Sequence, residues 1–103
     1  MPAVRVASEL EHGPGWIFTV EFASPESPQT PLRRELTLSW ADHERWTGGA
    51  RPPSEVAARV ALFAARRGLL PRLGPRFDAS TVRRLDPDLE PALADWAQDA
   101  GWS

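Results

Sequence analysis

Few side chains in this sequence can carry catalysis, and their spacing is poor. There are two histidines and no cysteine. His12 adjoins Gly13-Pro14-Gly15, where a turn leaves it in water. His43 lies in Asp42-His43-Glu44, three metal-competent types in a row. Consecutive residues of a helical turn project in different directions, so this triplet cannot converge on one ion. No HxxxH or HxxE spacing offers a further ligand. Ser39, His43 and a remote carboxylate supply the residue types of a hydrolytic triad. No Gly-x-Ser-x-Gly elbow exposes the serine, and Ser39 or Asp42 reads more simply as a helix cap. Gly48-Gly49-Ala50-Arg51 precedes a helix start, where open amides can hold an anion. It lacks the spaced glycines and the lysine-Ser/Thr pair of a phosphate loop. The expectation is a protein with no catalytic residue, no metal and no cofactor.

Two binding surfaces remain. One centres on Trp46, which follows Trp40 by six residues. Trp40 continues the buried alternation of Leu36 and Leu38 and is assigned to the core. Trp46 has no such register. It either covers the core's open edge or stands beside Arg45 and Arg51 as a binding anchor of the kind enriched at hot spots. Trp102, near the end, is not placed by any pattern. The second surface comes from charge asymmetry. The net charge of −2 conceals segments of −3 over 1–58, +6 over 59–84 and −5 over 85–103. Arg59, Arg66, Arg67, Arg72, Arg76, Arg83 and Arg84 make the middle segment a candidate polyanion site. Phe77 is the one aromatic near them outside the helix stripe, and it reads as the entry to a capped helix. The competing outcome is internal: acids of the last helix lie across the arginines in a solvated network worth roughly 0–1 kcal/mol per pair. All bases are arginine, and tyrosine and asparagine are absent. High-GC codon usage, hence a bacterial source, accounts for this without selection for guanidinium chemistry.

These residues need elements to position them. Val4, Val6 and Leu10, then Trp16, Phe18, Val20 and Phe22, then Leu36, Leu38 and Trp40 alternate with polar residues, the period of half-buried strands. Strands are predicted at about 3–10, 16–22 and 33–40. Gly13-Pro14-Gly15 turns between the first two, and a proline-rich, mobile loop spans 23–32. A short helical turn from Trp40 to Trp46 closes at Gly48-Gly49. Val56, Val60 and Phe63, flanked by Ala57 and Ala64, mark a helix at about 54–67, with Ser54 accepting from its open amides and Gly68 as its stop. An irregular crossing follows, held by Leu69, Leu70 and Leu73. Helices are predicted at about 79–85, capped by Asp78, and at about 88–100, with Leu89, Leu93, Trp96 and Ala100 as its stripe. The fold class is α+β: a three-stranded antiparallel β-meander with one face packed by two main α-helices, plus short helical turns. Its other face, with Thr19, Glu21, Arg33, Glu35 and Thr37, is polar, which predicts a monomer.

A chain of 103 residues suits a single domain. Without cysteine it forms no disulfide or thiolate zinc site. It shows no charged n-region before an apolar h-region and no membrane-length apolar run. Both points predict a cytoplasmic protein with no membrane contact. At Leu38-Ser-Trp-Ala-Asp-His-Glu-Arg-Trp46, the helix from Ser54, and Phe77-Asp-Ala-Ser80, the chain resembles a group of small uncharacterised bacterial proteins. That resemblance implies a freestanding domain and supplies no site residue. The functional expectation is a non-enzymatic protein-interaction module acting through Trp46, Arg45 and Arg51. The alternative is nucleic-acid binding through the 59–84 arginines.

Overall fold

The computed structural model describes residues 3–23 and 31–99. Most of the proline-rich loop, Ala100 and Trp102 lie outside the described residues. Period-two alternation produces β1 (Ala3–His12), β2 (Gly15–Ala23) and β3 (Leu32–Ser39), joined as an antiparallel meander. Gly13 takes a φ of 58° in the turn. Gly15 is required for a different reason: a Cβ there would lie 2.0 Å from the Leu38 carbonyl oxygen.

The sheet has a fourth strand that the sequence reading lacks. β4 (Arg76–Asp78) lies parallel to β3, pairing Leu36 with Phe77 and Thr37 with Asp78. The three-stranded antiparallel expectation is thereby corrected to a mixed sheet in the order β1-β2-β3-β4. Three residues are too short to display a strand period, which is why Arg76-Phe77-Asp78 passed as a helix entry.

Val4, Val6, Trp16, Phe18, Val20, Phe22, Leu36, Leu38 and Phe77 face the helices. The pairing slips between Val6 and Ser8, leaving Ala7 as a bulge. Beyond it the faces exchange, so Glu9 and Glu11 sit opposite Phe18 and Trp16 on the helix side. Leu10, expected with Val4 and Val6, instead pairs with Ile17 on the outer face and is 62% exposed. That outer face is tied by charge: Arg5 and Arg33 both donate to Glu21, Arg76 to Glu35, and Thr37 to Asp78.

At Ser39 the period changes. Its hydroxyl accepts from the Asp42 amide and starts α1 (Trp40–Thr47), which Gly48 ends with a φ of 61°. Trp40 is therefore the first helical residue and leaves the strand register. It is 48% exposed, edge-on to Trp16 at 6.4 Å, rather than in the core. The main helix, α2 (Pro53–Arg66), starts one residue early. Its N-cap is Pro52, with no side-chain cap, so Ser54 does not take the expected role. Pro53 at the first position loses no needed amide bond. Val56, Ala57, Val60, Ala61 and Ala64 are its buried face. Small residues let it lie close along β1, β2 and β3.

A 3₁₀ turn (Leu70–Arg72) follows, with Leu69 and Leu73 buried. Asp78 then accepts from the Ser80 amide and caps α3 (Ala79–Leu85), as expected. The last helix is α4 (Leu89–Asp99), with Leu89, Leu93 and Ala97 buried. It stacks on α1, α2 and α3 instead of lying on the sheet beside α2. The sheet face is already occupied by α2, with α1 and α3 at its margins. α4 completes an outer layer.

Candidate functional site

Trp46 is not a surface anchor. It is 4% exposed and its indole Nε1 donates to Glu90 Oε2 at 2.9 Å. Arg45 Nε reaches the same oxygen at 3.0 Å. Glu90 stands in the first turn of α4, so one carboxylate fastens α1 to α4 through both side chains. A buried indole needs an acceptor for its N–H, and Glu90 supplies it. Arg51 is also drawn inward. Its guanidinium lies 5.0 Å from the centre of the Trp96 ring and 3.8 Å from Glu55, with only 16% of the side chain exposed. Of the three residues expected to form a binding surface, Trp46 takes its core-covering alternative and Arg51 is turned inward, while the Arg45 side chain stays 60% exposed.

The 59–84 arginines do not form one face. Arg76 crosses from β4 to Glu35 on the outer side of the sheet. Arg67 bridges Asp86 at 2.9 Å and Asp88 at 3.3 Å while lying over the Phe63 ring. Arg83 is half-buried, and its Nε finds no acceptor among the described residues. Arg84 donates to Thr81 within α3. Arg72 is exposed on the 3₁₀ turn. The acids that neutralise Arg67 come from the α3–α4 connection, just ahead of the last helix.

Three of these arginines do converge. Arg59, Arg66 and Arg67 border a groove between α2 and α4, with Leu62, Phe63, Leu89, Ala92, Leu93 and Trp96 completing its lining. Its volume is about 260 Å³. Arg59 stacks over Trp96 at 5.1 Å and makes no ion pair among the described residues. Leu62 and Phe63 are half-buried, so an apolar floor is open to solvent. The pattern offered one unused signal: Leu62 lies outside the Val56–Val60 stripe, between Arg59 and Arg66 at helical spacing. Trp96, expected in the apolar stripe of the last helix, also forms one wall of the groove.

An apolar floor under guanidinium groups can seat an apolar side chain flanked by carboxylates, each gaining charge-assisted hydrogen bonds. Sites for small molecules run to roughly 300–1,000 Å³. At about 260 Å³ the groove lies just below that range.

His43 and Asp42 both lie on α1. His43 Nε2 is 2.6 Å from the Arg51 carbonyl oxygen. A carbonyl only accepts, so this nitrogen carries the proton. Burial, and then the negative charge of Asp78, push the Asp42 carboxyl above the usual aspartate range. Arg5 and Arg33 hold the Glu21 carboxyl below the usual glutamate range. Among the described residues no group of three or more His, Asp or Glu side chains is placed to hold a metal. No helix among them is long and apolar enough to cross a membrane. Compared with protein-family models, curated proteins and solved structures, the chain matches none.

Proposed function

We propose that this domain is a non-enzymatic protein-interaction module whose α2–α4 groove takes an acidic, amphipathic segment of a partner. The observation that carries this reading is the union of an open apolar floor with Arg59 and Arg66 at its border. Helix-in-groove recognition uses anchors at i, i+3 or i+4 and i+7, and a floor of Leu62, Phe63, Leu93 and Trp96 can receive one such anchor. Acidic flanks follow from the guanidinium border.

Nucleic-acid binding is the less favoured reading. A strand of phosphates needs a continuous basic track with stacking platforms. Here Arg67 and Arg76 are already paired with carboxylates, Arg76 on the outer side of the sheet and away from the others.

The test is selection from a displayed library of random helical peptides, repeated on Ala92→Glu. Ala92 is exposed at the groove, and glutamate is well tolerated in a helix. Selected peptides should carry acids around bulky apolar residues, and Ala92→Glu should weaken them at least tenfold. Peptides that bind Ala92→Glu equally well, or a basic consensus, would refute the reading.

A further inference from the structure

The bulge at Ala7 gives the molecule an unusual edge. β1 ends the sheet, and among the described residues no strand pairs with its outer side. Ten residues of backbone thus present alternate amide and carbonyl groups, a template for another strand. Before the bulge the helix-side positions are Val4 and Val6; after it they are Glu9 and Glu11. Both glutamates are exposed and neither makes an ion pair among the described residues. Without the bulge they would have pointed to the outer face, beside Arg5.

Along the first half of this edge runs a cleft of about 420 Å³, lined by Ala3, Val4, Glu55, Ala58, Arg59, Leu62 and Arg66. It is a different depression from the α2–α4 groove, lying on the other flank of the Arg59–Leu62–Arg66 ridge. Glu55, its one acid, is within 3.8 Å of Arg51. The helix side of one half of the edge thus carries two arginines against one acid, and that of the other half carries Glu9 and Glu11.

We propose that β1 pairs with β1 of a second copy, antiparallel about a two-fold axis near Ala7 and Ser8. The register that sets Val4 opposite Glu11 of the second copy also sets Val6 opposite its Glu9. In an antiparallel pair, opposite residues point to the same face, and here both members are helix-side residues. Each glutamate pair then enters the other copy's cleft beside Arg59 and Arg66, and the two-fold axis repeats the contact. A bulge normally blunts an edge. Here it aligns the charges, dividing the new ladder into two short halves. The polar outer face, from which a monomer is expected, takes no part in this association, which uses the edge of the sheet.

Sedimentation velocity across a concentration series provides the test, with hydrogen exchange of β1 amides as a second readout. The protein should reach twice its 11.4 kDa mass as concentration rises. Its β1 amides should gain protection over the same range. Glu9→Arg with Glu11→Arg should weaken association at least tenfold, as should Arg59→Glu with Arg66→Glu. All four together should restore it, because the charges are exchanged. Ala92→Glu should leave it unchanged, which separates this proposal from the groove. A monomer whose outward-facing β1 amides stay unprotected at millimolar concentration, or a quadruple variant that stays dissociated while folded, would overturn it.

Discussion

Glu21 sits between Arg5 and Arg33 on the outer face of the sheet, receiving hydrogen bonds of 2.8 Å from each. Its residue is only 6% exposed because two guanidinium groups lie over it, although both are themselves mostly in water. Hydrogen bonds from Arg5 and then Arg33 lower its pKa, so the stabilisation is present above the ordinary glutamate range. It is lost as pH falls below that range. Asp42 runs the other way. Its raised pKa, from burial first and Asp78 second, means that the folded state resists its charge. Stability is then lost as pH rises through and above the ordinary aspartate range. Denaturant melts at several pH values check both signs. Glu21→Gln should be destabilising at neutral pH, with the deficit closing in acid. Asp42→Asn should gain on the wild type at neutral pH, with the gain vanishing in acid. Differences that stay constant with pH would contradict the assignments.

At the scale of elements, the three long strands, α2 and α4 are legible because each repeats its period several times, and α3 is legible from its Asp78 cap. Val56, Val60 and the alanines beside them announce α2. Phe18, Val20, Leu36 and Leu38 announce a buried sheet face. What eludes the pattern is local. Ala7 and Ser8 are small residues with no strong preference for either face, so nothing in them marks a bulge. Trp40 shares the parity of Leu38, and only the Ser39 cap turns it out of line. The bulge has a measurable consequence. Leu10→Thr should change stability by less than about 0.5 kcal/mol, since Leu10 lies on the outer face. Leu36→Ala, at a fully buried position, should cost about 2–5 kcal/mol. Comparable losses at both sites in equilibrium denaturation would mean that the register beyond Ala7 is wrong.

For the whole molecule, the segregation of charge along the sequence does not survive as segregation in space. Glu35 takes Arg76, Asp86 and Asp88 take Arg67, and Glu90 takes Arg45. The sequence displays the basic block but not these pairings, each of which spans 19 residues or more. The groove is invisible for a related reason. It needs Leu62 and Phe63 from one helix and Ala92, Leu93 and Trp96 from another, and no local pattern reports how α4 stacks on α2. Once assembled, the molecule presents cationic groups around a greasy slot instead of a basic plane. Salt should consequently act weakly on partner binding, as the apolar contact persists when charges are screened. The most direct measurement is an amide and indole NMR titration with a peptide carrying leucines at i, i+4 and i+7 and glutamates on both flanks. Saturable shifts at Arg59, Leu62, Ala92, Leu93 and the Trp96 indole, persisting at high salt, are the predicted result. Shifts confined to Arg72, Arg76 and Arg84, produced by an oligonucleotide and abolished by salt, would contradict the account.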